Sequence, residues 1–227
     1  MGIDGRSESF TGASRTLTVL VHGIEGSRLD WLERGGYTKG GDLTDRLSRL
    51  GMSWVACDLY GHGDWPAEEA GFSREDISDD LYPVFLRRSS EAIRQAIATA
   101  TTQAAVDRLN VVSYSAGCDV AVDVLKTSVG IPVVSFLMAA PVPHREFDDE
   151  YSLHNNLEVF AGRTVGVFCG RQDEYVSFEE ISWFFDQLPD ASRHRWDYSS
   201  GHALPVAWVD DAVALLQRCD EGRSPTT

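Results

Sequence analysis

The chain has 227 residues, of which 43% are hydrophobic and 24% charged, a composition typical of a soluble globular protein with one substantial core. Its formal net charge is −15, from 35 acidic and 20 basic side chains. Because such a surface repels phosphate backbones and anionic membranes, we do not expect nucleic acid as a partner.

Apolar runs of strand length alternate with helical patterns along the chain. The predicted strands occupy residues 17–21, 54–59, 109–113, 133–140, 164–170 and 193–198. The predicted helices occupy residues 42–50, 76–105, 116–128, 178–188 and 205–218. Pro83 marks either an early break or the start of the second helix. This alternation predicts an α/β fold, with a mostly parallel sheet that carries helices on both faces.

Residues 1–227 are expected to form a single domain with flexible ends at 1–14 and 221–227. The first twenty residues contain no apolar signal core, and no run of eighteen apolar residues predicts a membrane span. The cysteines lie far apart in or beside apolar stretches, at Cys57, Cys118, Cys169 and Cys219. None forms a Cys-x-x-Cys pair, so we expect reduced core thiols, no metal and a cytoplasmic location.

The strongest chemical motif is the segment 111–117, VVSYSAG, at the junction of a predicted strand and helix. It has the small-x-Ser-x-Gly pattern of a nucleophile elbow, with Ser115 as the nucleophile. Only small residues two positions before and after the serine let the strand and the helix approach closely. Gly117 fills the second position, whereas Ser113 replaces the usual glycine at the first. A simple helix N-cap is the alternative role for Ser115, since serine favours that position.

Four other segments accompany this elbow. They are HGI at 22–24, DLYGHG at 58–63, GRQDEYV at 170–176 and SGHALP at 200–205. Each follows a predicted strand, and in a parallel sheet the ends of the strands are where ligands bind. Together with the elbow, these segments resemble the α/β-hydrolase superfamily over about residues 17–218. The resemblance implies a single-domain α/β-hydrolase fold without a large cap domain, and a structural role for the turn at 58–63.

The resemblance also implies a catalytic triad in the chain order Ser, Asp, His. Ser115 would be the nucleophile, His202 the general base and Asp173 the acid that orients the histidine. The backbone amides of Ile24 and Ala116 would form the oxyanion hole. No cofactor is needed for this chemistry.

Some alternatives for the site residues remain open. Glu174 is the second choice for the acid, because it directly follows Asp173. His144 and His154 are weaker candidates for the base, since neither follows a strand at the expected place.

The implied activity is that of a serine hydrolase that cleaves a carboxylic ester of a small molecule through an acyl-enzyme. A thioesterase acting on acyl-carrier or coenzyme A substrates is one alternative, and a non-hydrolytic binding protein or cyclase of the same fold is another. The segments 142–163 and 64–81 are the candidate lids, and both are short. We therefore expect a shallow, accessible site; the acyl group, the leaving group and the oligomeric state stay open.

Overall fold

The computed structural model describes residues 6–65, 81–126, 130–143, 152–189 and 192–221. In chain order, its strands are β1 (Ser7–Phe10), β2 (Thr16–Val21), β3 (Ser53–Cys57), β4 (Arg108–Tyr114), β5 (Val133–Ala139), β6 (Thr164–Gly170) and β7 (Arg193–Tyr198). Its α-helices are α1 (Gly40–Arg49), α2 (Tyr82–Gln103), α3 (Gly117–Lys126), α4 (Phe178–Gln187) and α5 (Ala207–Asp220). Pro83 lies in the first turn of α2. Backbone amides in the first turn have no partner within the helix, so the missing N–H of proline costs no hydrogen bond there.

The strands form one sheet in the order β1-β3-β2-β4-β5-β6-β7. Every pair of neighbours is parallel except β1 and β3, which are antiparallel. This topology confirms the predicted mostly parallel sheet of a single α/β domain.

Strand β1 was not among the predicted strands. Its residues, Ser7–Phe10, pair with β3 at the edge of the sheet, within the segment 1–14 that was expected to be flexible. A four-residue polar strand carries little apolar pattern, and its pairing needs only backbone hydrogen bonds. The outer parts of the expected flexible ends, 1–5 and 222–227, lie outside the described residues.

Side chains that alternate along the strands enter two cores, one on each face of the sheet. Val111 packs in the core that α2, α3 and α4 cover, and its neighbour Val112 packs in the core that α1 and α5 cover. Because both faces of the central strands are buried, these strands appear in the sequence as continuous apolar runs.

The cysteines all carry free thiols, and Cys57, Cys118 and Cys169 are buried. Burial raises the pKa of the Cys57 thiol to about 12, which keeps it protonated and unreactive. Within the described ranges, every helix is too short or too polar to cross a membrane.

The aromatic stack in the α1 and α5 core provides a test of this packing. Phe168 of β6 is fully buried, with its ring parallel to Trp196 at a centroid distance of 4.7 Å and inclined to Trp208 at 5.7 Å. We expect Phe168→Ala to lower the unfolding free energy by about 4 kcal/mol, because it removes these contacts and leaves a cavity. Phe10→Ala, in the half-buried edge strand, is the control and should cost less than about half of that. Urea unfolding followed by tryptophan fluorescence measures both, and equal losses would contradict the described core.

Candidate active site

The backbone around Ser115 forms a sharp turn between β4 and α3. Ser115 has a φ of +52°, in the left-handed region that serine rarely adopts. Its amide donates a hydrogen bond to the Ala139 carbonyl at 3.0 Å, and its carbonyl accepts one from the Cys118 amide at 2.9 Å. These bonds to β5 and to the first turn of α3 hold the strained conformation in place.

The residues on either side of this turn explain how strand and helix approach so closely. A Cβ atom on Gly117 would lie 2.2 Å from the His22 carbonyl oxygen, so only glycine fits there. Ser113 is fully buried, with its hydroxyl 3.3 Å from the Leu137 carbonyl and 3.2 Å from Cys118 Sγ. The substitution of serine for the usual glycine is therefore accommodated without an unpaired hydroxyl.

Ser115, His202 and Asp173 lie in one hydrogen-bonded chain. His202 Nε2 is 2.9 Å from Ser115 Oγ, and His202 Nδ1 is 2.7 Å from Asp173 Oδ2. The side chain of Asp173 is fully buried and that of His202 is 4% exposed. Because an ionised carboxylate only accepts, the Nδ1 atom carries the proton and Nε2 offers its lone pair to the serine hydroxyl.

The loop after β6 distinguishes the two candidate acids. The second oxygen of Asp173, Oδ1, accepts hydrogen bonds from the amides of Tyr175 at 2.9 Å and Val176 at 3.3 Å. Glu174 instead accepts a hydrogen bond from the His202 amide, at 3.0 Å from Oε2. The geometry thus puts Asp173, and not Glu174, on the imidazole.

Of the two alternative bases, only His154 lies among the described residues, and its imidazole is not hydrogen-bonded to Ser115. His154 lies beside Trp183, with a ring-centroid distance of 6.1 Å. His144 lies outside the described residues.

The loop after β2 lies directly against the serine. A Cβ atom on Gly23 would be 3.0 Å from Ser115 Cβ and 3.7 Å from Ser115 Oγ. Among the described residues, the backbone amides of Ile24 and Ala116 donate no hydrogen bond. Ile24 directly follows Gly23 and Ala116 directly follows Ser115, so both amides belong to these two adjoining segments and are unused by the described part of the protein.

His22 has a role that was not predicted from the sequence. Its imidazole is fully buried, where Nδ1 donates to the Gly23 carbonyl at 2.7 Å and Nε2 accepts from the Leu59 amide at 3.0 Å. Burial, aided by the nearby His62, lowers the pKa of His22 to about 3, so the ring is neutral. This neutral ring connects the loop after β2 to the loop after β3. The sequence signal was the histidine before Gly23, in a segment where only the Ile24 amide was given a role.

The turn at 58–63 is built around a buried carboxylate. Asp58 accepts hydrogen bonds from the Arg28 amide at 2.7 Å, from the Arg28 guanidinium and from the Asp64 amide at 3.1 Å. His62 is buried with Nδ1 2.9 Å from the Tyr60 carbonyl. These contacts support the structural role that the resemblance implies.

The two candidate lids are only partly described. In the segment 142–163, short 3-10 helices at Leu153–Asn155 and Leu157–Phe160 pack Leu153 and Phe160 into the core. This portion therefore belongs to the body of the domain. The remainder, 144–151, and residues 66–80 of the other candidate lie outside the described residues.

Comparisons with known proteins find similarity in structure and not in sequence. No protein-family model matches the chain, and no curated protein matches it. A structure from Thermus thermophilus is similar with a TM-score of 0.72 at 17% identity, over 96% of this chain and 99% of that one. A monoacylglycerol lipase from Paleococcus ferrophilus gives 0.63 at 13% identity, over 95% and 98% of the two chains. A Bacillus cereus carboxylesterase gives 0.62 at 18% identity, over 94% and 93%.

These similarities, together with the sheet order and the serine turn, show that the chain has the α/β-hydrolase fold. No separate cap domain is evident in the part of the chain that the structure describes.

The neutral state of His22 predicts a specific sensitivity to acid. Between pH 3 and about 6.5 the unfolded chain binds a proton that the folded chain excludes, so acidification favours unfolding. His22→Gln keeps an acceptor for the Leu59 amide but does not titrate. From about pH 7.5 to about pH 5, the unmodified protein should lose roughly 2 kcal/mol more unfolding free energy than this variant. Urea unfolding at a series of pH values measures the difference, and parallel pH curves would show that His22 is not held neutral.

Proposed function

We propose that this protein is a serine hydrolase that cleaves a carboxylic ester of a small molecule through an acyl-enzyme. The observation that carries the proposal is the hydrogen-bonded chain from Ser115 Oγ through His202 to the buried Asp173. The structural similarity to a carboxylesterase and a monoacylglycerol lipase supports the same class of reaction.

In this mechanism Ser115 Oγ attacks the ester carbonyl while His202 Nε2 accepts its proton. Asp173 fixes the imidazole tautomer and stabilises the imidazolium that forms. His202 then donates the proton to the departing alcohol oxygen as the tetrahedral intermediate collapses. A water molecule, activated by the same imidazole, attacks the acyl-enzyme and releases the acid.

The negative charge of the tetrahedral intermediate develops on the former carbonyl oxygen. We assign its stabilisation to the backbone amides of Ile24 and Ala116, which directly follow Gly23 and Ser115 and donate to no described protein group. Each such donor contributes on the order of 3 kcal/mol to transition-state stabilisation. Ala116 also immediately precedes α3, whose N-terminal dipole favours a nearby anion.

We propose a reducing compartment such as the cytoplasm as the place of action. The support is that all four cysteines carry free thiols and that three of them are buried.

The role of Ser115 is tested with p-nitrophenyl esters from acetyl to long acyl chains. Ser115→Ala should lower kcat/KM by more than about 1000-fold, because no nucleophile remains on the turn. Ser182→Ala, a serine on α4, is the control and should retain activity. Full turnover by the Ser115→Ala protein would refute the assignment. If the unmodified protein hydrolyses none of these esters but cleaves acyl-coenzyme A, the activity is that of a thioesterase.

The role of Asp173 is tested by replacing its carboxylate with a neutral isostere. Asp173→Asn should lower kcat by about 100- to 10,000-fold, because the amide no longer selects the productive histidine tautomer. Asp186→Asn makes the same chemical change on the exposed side of α4 and should have no effect. Equal activity of the two variants would exclude Asp173 as the orienting acid.

A further inference from the structure

The main chain of His202 is held at both of its polar groups. The Tyr114 hydroxyl donates a hydrogen bond to the His202 carbonyl at 2.6 Å. The carboxylate of Glu174 accepts one from the His202 amide at 3.0 Å. Tyr114 directly precedes Ser115, and Glu174 directly follows Asp173. One chain neighbour of each of the other two triad residues therefore binds the backbone of the histidine.

Both contacts join the histidine loop to well-anchored parts of the protein. Tyr114 is the last residue of β4, is 2% exposed and packs in the core that α1 and α5 cover. Burial raises the pKa of its hydroxyl, which keeps it protonated as a donor. Glu174 belongs to the loop after β6. The preceding residue, Asp173, anchors this loop by accepting hydrogen bonds from the amides of Tyr175 and Val176.

The position of the His202 ring is the most tightly constrained in this site. Its two ring nitrogens must reach Ser115 and Asp173 at once, and they do so at 2.9 and 2.7 Å. A displacement of about 1 Å costs on the order of 100-fold in rate, because the reacting atoms then leave their productive geometry. His202 lies in the loop between β7 and α5, so no regular secondary structure fixes its backbone.

We infer that Tyr114 and Glu174 are positioning residues that hold the His202 backbone, and thereby the Nε2 atom, at the Ser115 hydroxyl. This inference rests on the proposed serine-hydrolase function. Neither residue needs to touch the substrate; each acts through the histidine. The acceptor that Glu174 provides, and not its charge, is what this role requires.

Three variants separate positioning from simple packing. Tyr114→Phe keeps the buried ring and removes the donor, and Glu174→Ala removes the acceptor. Each should lower kcat by about 10- to 100-fold with KM changed less than about threefold, because substrate contacts are untouched. Glu174→Gln retains an amide oxygen that can accept from the His202 amide. It should therefore restore most of the activity that Glu174→Ala loses.

A second readout is the rate at which a fluorophosphonate probe labels Ser115, since labelling requires an activated serine and little substrate recognition. Tyr114→Phe and Glu174→Ala should label more slowly by the same factor as their loss in kcat. Labelling of both variants at the unmodified rate would overturn the inference, as would a loss confined to KM. If Glu174→Gln were as inactive as Glu174→Ala, the role of the acceptor would also be overturned.

Failure of the underlying function gives a different result. If the unmodified protein neither hydrolyses esters nor labels with the probe, the serine-hydrolase proposal fails, and the positioning role fails with it. If Tyr114→Phe does not fold, which its far-ultraviolet circular dichroism would show, the Glu174 pair still decides the question. The two variants Glu174→Ala and Glu174→Gln each change one side chain on a loop and leave the core intact.

Discussion

The close approach of Gly117 to the His22 carbonyl is the constraint on which the rest of the site depends. It lets α3 start immediately beside β2 and forces Ser115 into a left-handed turn. Such a backbone conformation costs about 1–3 kcal/mol, and here the hydrogen bonds to Ala139 and Cys118 offset it. The same approach brings the Gly23 loop against the serine. Ser115 and the neighbouring amides are thus arranged by one packing contact.

The parallel sheet supplies the second half of the arrangement. The loops that carry Ser115, Asp173 and His202 are far apart in sequence. They nevertheless lie on the same side of the domain, because each follows the carboxyl end of a parallel strand, β4, β6 or β7. Asp173 can be fully buried there because its two oxygens accept hydrogen bonds from the imidazole and from two amides. A buried carboxylate without such partners would strongly oppose folding. Burial of the acid and order in the histidine loop therefore depend on each other.

The sequence predicted those parts of the molecule that carry a strong local pattern. Strands β4 and β5 are continuous apolar runs because both of their faces are buried, and the Ser115 turn has a short motif with a steric reason. Strand β1 was missed because four mostly polar residues pair through backbone groups alone. The contacts of Tyr114 and Glu174 with the His202 backbone were missed for another reason. Tyr114 is a tyrosine at a strand end, and Glu174 is one of 35 acidic residues. Neither has a sequence pattern that reveals its partner, which lies 88 residues from Tyr114 and 28 from Glu174.

The two hydrogen bonds to the His202 backbone also affect which substitutions this sequence can accept during evolution. Tyr114 and Glu174 satisfy a carbonyl and an amide that every residue type except proline would present at position 202, so the stabilising effect of these two bonds does not depend on the imidazole itself. A lineage that lost the histidine, and with it the proposed chemistry, would still gain fold stability from both neighbours. Such a descendant would inherit a well-ordered loop above an inert serine, which is a ready starting point for a pocket that binds without turnover.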